Sequence, residues 1–299
     1  MNYLYYKSDK GNFGDDLNPW LWPKLFSETK KFKDSYFLGI GSILTSENPH
    51  FEDIKDKRKI VFGTGIRPSS TYNEFSLDKT WSVKFLRGPL SSGYLGNKHE
   101  YISDAAYAVR QLAAFSDIQN TKKKYEISIM PYFHSVQYFD WEKIAKKLGY
   151  HLISPYSEGG VEHTLREIAA SKYLITEAMH GAILADILRV PWHRFVLTTP
   201  YTEGERISDF KWNDWMGSID IPRADTTFIP FYKKTRLHEP IKKITGNILS
   251  TNFFVKSQVQ DHLMKSLSSK KNYTLSKDTI LSTIDSRIYQ KVQEMNNGI

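Results

Sequence analysis

The stretch TEAMHGAILADIL, residues 176–188, sets an acid and an imidazole where an apolar run meets a small-residue helix. Glu177 and His180 fall at the turn after KYLIT, and Gly181 lets the next helix approach a ligand or a strand closely. Ile183 and Ile187, four apart, give that helix a buried stripe. A histidine at a helix N-terminus faces the positive end of the dipole, which lowers its pKa; a nearby carboxylate such as Glu177, or a bound anion, raises it again. His180 is therefore a candidate acid near neutral pH, against the plainer reading of a structural histidine.

GNFGDDLNPW (11–20) is a second polar cluster. Gly11 and Gly14 permit a tight turn around Asn12, and Asp15 and Asp16 follow before Asn18 and Pro19, read as the start of a helix. Two adjacent carboxylates oppose a phosphate, so this turn is no phosphate cradle. The pair reads either as a base or hydroxyl ligand, or as acids that complement the helix dipole. Arg67 in FGTGIRP (62–68) and Arg87 in FLRGPLSS (85–92) close two further runs. A guanidinium there can grip two oxygens of a phosphate or carboxylate at once; an interdomain salt bridge is the alternative. Asp104 in YISDAAY reads as a site residue or a helix cap. His134 in IMPYFHS, and Glu203, Glu205 and Arg206 in LTTPYTEGERISD, read as site residues or exposed loop.

Such side chains must be delivered by regular elements. NYLYY (2–6), SYFLGIGSIL (35–44), KIVFGTGI (59–66) and SVKFLRG (82–88) are apolar runs that end in polar or glycine-rich turns, the pattern of parallel strands feeding one sheet edge. GPLSSGYLG (88–96) reads as a short helix begun by proline. The charged stretch SDIQNTKKKYE (116–126) breaks the composition and is read as a linker. The pattern then restarts with strands at 126–133, 151–156, 172–176 and 191–197 and helices at 140–150, 160–171 and 180–189. The expected organisation is two open α/β domains, 1–118 and 119–238, whose strand ends face a cleft, with a helical tail over 239–299. In that tail Ile280, Ile284, Ile288 and Val292 recur every four residues, and Ser276 can cap the helix.

Composition narrows the function classes. The chain has 299 residues, 40% hydrophobic and 25% charged, the balance of a globular protein large enough for two cores. There is no cysteine, hence no disulfide or thiolate metal site, and the His and carboxylate spacing matches no common zinc site. The N-terminus lacks the pattern of a signal peptide, and no apolar run reaches the roughly 20 residues that span a bilayer, so a cytoplasmic protein is expected. The net charge of +8 favours anionic partners, but no nucleic-acid motif is visible and none is expected to bind. Trp20, Trp22, Trp192, Trp212 and Trp215 fall near the polar motifs; their faces suit sugar rings, and core packing is the alternative.

Taken in order, GNFGDD, GIGSIL, FGTGIRP, LRGPLS, SDAAY, PYFHS and TEAMHGAILADILRVPW resemble the polysaccharide pyruvyl transferase family over about residues 3–220, and its bacterial exopolysaccharide branch in particular. The resemblance implies two Rossmann-like domains in a glycosyltransferase B-like fold. It implies phosphoenolpyruvate as donor, a co-substrate rather than a cofactor, and a cyclic pyruvate ketal on a sugar as product. Several members read Arg-x-His in the histidine motif, with the arginine on the donor; here that position is Ala178. The expected roles are His180 as acid, oriented by Glu177; Arg87 as donor anchor, with Arg67 or Arg206 as second positive charge; and Asp15 or Asp16 as base or sugar-hydroxyl ligand. Asn12, Gly14, Asp104 and His134 complete the expected substrate contacts. The acceptor is expected to be a lipid-linked oligosaccharide at the inner face of the membrane, where positive charge suits anionic lipid. A nucleotide-sugar glycosyltransferase of the same fold is the alternative, and a non-catalytic sugar-binding protein a second.

Overall fold

Apolar runs that close on glycine become short parallel strands. The structure, a computed structural model, describes residues 1–26, 32–69, 75–231 and 251–297, with 251–256 as backbone only. The first half runs β1 (Asn2–Tyr3), α1 (Phe13–Leu25), β2 (Tyr36–Leu38), α2 (His50–Asp53), β3 (Lys59–Phe62), β4 (Trp81–Phe85), α3 (Pro89–Tyr94), a 3₁₀ helix (Ala105–Gln111) and α4 (Phe115–Gln119). Its sheet is wholly parallel in the order β1-β2-β3-β4. The second half runs β5 (Tyr125–Met130), α5 (Trp141–Leu148), β6 (His151–Leu152), α6 (Val161–Ala169), β7 (Ser171–Thr176), α7 (Met179–Ile187), β8 (Trp192–Val196), α8 (Glu205–Ser218) and β9 (Thr226–Phe228). Its parallel order is β6-β5-β7-β8-β9. Two tail helices follow, α9 (Thr251–Ser268) and α10 (Asp278–Asn296). Two parallel sheets with helices are consistent with a Rossmann-like, glycosyltransferase B-like arrangement.

Side chains alternate across each sheet as the pleat requires. Phe37, Ile60, Phe62 and Leu174 join the large core between the halves, while Leu38 and Val61 face a small cluster and Ile129 and Ile175 face α5 and α9. That large core is continuous: Phe13, Leu17 and Phe62 of the first half share it with Ile183, Trp192 and Trp215 of the second and with Ile284 and Ile288 of α10. The four tryptophans Trp22, Trp192, Trp212 and Trp215 are buried in it.

Several elements differ from their sequence reading. The helix expected from Asn18 begins at Phe13, and Asn12 caps it by accepting the Gly14 N–H. Pro19 therefore lies inside the helix and has no N–H for the Asp15 carbonyl; the Asn18 side chain donates to that carbonyl instead, at 3.1 Å. The break at 116–126 contains α4, whose Ile118 is buried. Ser276 does not cap α10: its N–H and hydroxyl both donate to the buried carboxylate of Asp186, at 2.8 and 2.7 Å. The stripe of α10 is Leu281, Ile284, Ile288, Val292 and Met295, with Ile280 only half-buried. The tail residues 239–250 lie outside the described residues.

Candidate active site

In open parallel sheets, ligands bind beyond the carboxyl ends of the strands. Here the segments that leave β1, β2, β3, β4, β5, β7 and β8 line one cavity of about 830 Å³, shared by both halves. His180, Glu177, Asp15, Asn12, Gly14, Arg67, Arg87 and His134 all line it. Arg206 is exposed on the first turn of α8 and does not, nor does Asp16, which turns towards Gly11.

His180 sits in the first turn of α7 and reaches across to the first turn of α1. The approach depends on glycine: a Cβ at Gly14 would stand 2.0 Å from His180 Nδ1. His180 Nε2 is buried with no hydrogen-bond partner among the described residues. The carboxylate nearest to it is Asp104, with Oδ1 at 3.8 Å. Asp104 is fully buried and also caps the 3₁₀ helix, accepting the Ala106 N–H at 2.9 Å. Its Oδ2 has no partner either.

Glu177 is placed differently from its expected role. It is buried at the end of β7, and Oε1 accepts three successive backbone N–H groups beyond β8, from Leu197 (3.0 Å), Thr198 (2.6 Å) and Thr199 (3.1 Å). Oε2 accepts from the Ser135 hydroxyl and from the Tyr132 N–H at 3.4 Å. Burial raises its pKa, against the pull of these donors. None of these contacts touches His180; the carboxylate pins the loop after β8 to the loop after β5.

Asp15 is 8% exposed. Burial pushes its pKa up to about 6, although the charges of His180 and Lys211 and a 2.6 Å hydrogen bond from Asn12 Nδ2 pull it down. Burial also raises the pKa of Asp16, and it lowers that of His134.

Arg87 is 1% exposed. Its Nε donates to Asp214 Oδ2 at 3.0 Å and its Nη1 to the Ser42 hydroxyl. Nη2 has no partner among the described residues. The guanidinium lies flush against Gly65, where a Cβ would stand 2.2 Å from Cζ. Asp214, on α8, is tied to the first half a second time by the N–H and hydroxyl of Ser91, at 2.9 and 2.6 Å. The ion pair between the halves that the sequence left open for Arg87 is present, and the residue also lines the cavity.

Two cavity residues, Tyr132 and Lys211, escaped the sequence reading, and both meet Glu203, which that reading weighed against an exposed loop. Glu203 accepts from Tyr132 Oη at 2.7 Å and from Lys211 Nζ at 2.9 and 3.0 Å. Burial pulls the Glu203 pKa up, but Lys211, Tyr132 and Arg67 outweigh it and hold the carboxyl below its ordinary value. Tyr132 goes the other way, raised by burial and by Glu203. Lys211 and Asp214 sit on α8, whose buried Trp212, Trp215 and Met216 fall at helical spacing. That spacing was the available signal. No group of side chains suited to a metal ion occurs among the described residues.

A cavity lined from two parallel sheets, holding a fixed guanidinium, an imidazole and a carboxyl of raised pKa, marks an α/β protein of Rossmann-like, glycosyltransferase B-like arrangement. The polysaccharide pyruvyl transferase model matches residues 3–196, and the chain belongs to that family. It is 34% identical over 223 residues to the succinoglycan biosynthesis protein ExoV of Rhizobium meliloti (strain 1021), an alignment covering 74% of this chain and 66% of that one. The chain thus spans slightly less than two thirds of that relative's length. No solved structure matches it significantly.

Proposed function

We propose that the protein transfers the pyruvyl group of phosphoenolpyruvate to two hydroxyls of one sugar, closing a cyclic ketal on a surface polysaccharide or its lipid-linked precursor. The observation that carries this reading is a pair of buried, unpartnered nitrogens, Arg87 Nη2 and His180 Nε2, on residues that line one cavity beside Asp15. Leaving such groups unmet costs about 1–3 kcal/mol each, so a ligand that satisfies them is favoured. Family membership and the likeness to a succinoglycan biosynthesis protein support the same reading.

The chemistry follows from the donor. Protonated His180 gives its proton to the methylene carbon, leaving a cationic centre at the carbon that bears carboxylate and phosphate. A sugar hydroxyl adds there while Asp15 takes its proton. The carbon–oxygen bond to phosphate then breaks, and phosphate leaves with the electron pair. A second hydroxyl of the same sugar adds, gives its proton to the His180 imidazole that lost one in the first step, and closes the ketal. One donor and one diol give one ketal and one phosphate, with no redox change. A base must be ionised at working pH yet basic enough to accept a proton, and a carboxyl near pH 6 meets both needs. Arg87 holds an anionic end of the donor, and Asp15 rather than Asp16 serves as base because only Asp15 lines the cavity.

The acceptor is presented at an anionic membrane surface, where each nearby basic residue adds about 1 kcal/mol of attraction. No helix among the described residues is long and apolar enough to cross a membrane. Pelleting with anionic vesicles at low and high salt tests the docking, and binding indifferent to salt counts against it. For the reaction, the protein is incubated with phosphoenolpyruvate and a panel of galactosides, glucosides and mannosides. Phosphate release is followed and products are weighed. The expected product is an acceptor heavier by one pyruvate less one water. A protein that neither binds phosphoenolpyruvate nor releases phosphate from it refutes the reading.

A further inference from the structure

A donor with a phosphate and a carboxylate needs more than one cation, and Arg87 is already paired with Asp214. The first turn of α7 supplies no arginine or lysine, since Ala178, Met179 and His180 lead it. Four lysine and arginine side chains line the cavity among the described residues: Lys7, Arg67, Arg87 and Lys211. Lys7 is exposed, its ammonium 5.4 Å from the centre of the Tyr5 ring. Arg67 is half-buried, and its charge acts on Glu203. Lys211 is different: it is 17% exposed, and its charge acts on Asp15, which also feels His180.

The ammonium of Lys211 has three N–H donors. Two of its directions are taken by Glu203 Oε1 and Oε2, at 2.9 and 3.0 Å, and Glu203 is itself held by Tyr132. The third meets no protein acceptor among the described residues. Asp214 lies three residues further along α8, so the two side chains share a helix face about one turn apart. Asp214 grips Arg87 Nε and leaves Nη2 unmet. One helix face thus fixes a cation of its own and a cation of the opposite half.

We propose that Lys211 is the second cation of the donor site, contacting phosphoenolpyruvate directly, with Glu203 and Tyr132 holding its ammonium and Asp214 positioning Arg87 beside it. The family match ends at residue 196, before any residue of α8. The inference rests on the pyruvyl-transfer reading and adds to it a binding residue and its supports.

The test is calorimetric titration of the full-length protein with phosphoenolpyruvate, and with inorganic phosphate as second probe. The proteins compared are wild type, Lys211→Met and the double variant Lys211→Met/Glu203→Gln. Loss of a charge-assisted contact weakens binding about tenfold to a hundredfold. The expected result is that loss in both variants, with the donor KM raised and the acceptor KM unchanged. Weakening for both probes puts the ammonium on the phosphate; weakening for phosphoenolpyruvate alone puts it on the carboxylate. The double variant separates contact from masking. If Lys211 serves only to neutralise Glu203, removing both charges restores wild-type affinity, and the proposal is overturned. The double variant also leaves no unpaired carboxylate, so it is read where Lys211→Met fails to fold. Wild type that binds while both variants match it overturns this inference alone; wild type that does not bind phosphoenolpyruvate overturns the pyruvyl-transfer reading and this inference with it.

Discussion

Asp15→Asn is expected to make the protein more stable and inactive at once. The Asp15 carboxyl sits almost out of water, with its pKa moved from 3.8 to about 6. A folded pKa above the unfolded one means that the folded state holds more protons between those values, so stability falls as pH rises through that window. A shift of about two units corresponds to about 3 kcal/mol once both states are ionised. Asparagine keeps the shape, can still accept from Asn12 through its carbonyl oxygen, and carries no charge to bury. Integrating between the two pKa values, the variant gains about 1 kcal/mol over wild type at pH 4.5 and about 3 kcal/mol at pH 8. The assay is urea unfolding of both proteins at half-unit steps across that range, with the difference plotted against pH. A difference that stays flat, or shrinks towards high pH, refutes the argument that burial of this charge controls the site. The same carboxyl sets the rising limb of the expected rate profile: kcat/KM of wild type climbs as pH passes about 6 and Asp15 ionises.

His180→Ala is expected to lower turnover by about 10²–10⁴-fold with the melting temperature little changed, since general acid catalysis is worth that much; near-wild-type turnover removes the acid role. Gly14→Ala drives a methyl into the imidazole, so turnover should collapse while urea stability falls by less than an overpacked core position would lose, about 1–3 kcal/mol. Glu177→Ala strips three successive N–H groups of their acceptor and is expected to cost several kcal/mol, at about 1–3 kcal/mol per group left unmet, in chemical denaturation. A loss under about 1 kcal/mol would mean that the loop finds other acceptors.

Much of this architecture is written in local pattern. The alternation of glycine-ended apolar runs with polar turns foretells parallel strands, and they form at 36–38, 59–62, 81–85, 125–130, 171–176 and 192–196. Lengths were over-read because strand pairing stops before the apolar run does: β1 keeps two residues of NYLYY, and Tyr5 passes into the cavity wall instead. Pro19 misled the reading of α1, because a proline at a helix start and a proline tolerated within a helix look alike until Asn18 is seen repairing the carbonyl. The partners of Glu177 are backbone amides about twenty residues away, and no side-chain pattern announces a backbone donor. Lys211 and Asp214 stayed hidden for a related reason. Each takes its meaning from a contact distant in sequence, Asp214 from Arg87 and Lys211 from a cavity closed by both halves.

The helix α10 lays its apolar stripe into the shared core against the 3₁₀ helix Ala105–Gln111, and Asp285 grips Arg110 there with contacts of 2.6 and 2.7 Å. A chain emerging from the ribosome makes that helix some 170 residues after Arg110. Until it arrives, the apolar residues of both halves that α10 covers stay bare to water. Closure of this core thus waits on a segment far downstream, and chaperone dependence should track exposure of the bare seat of α10.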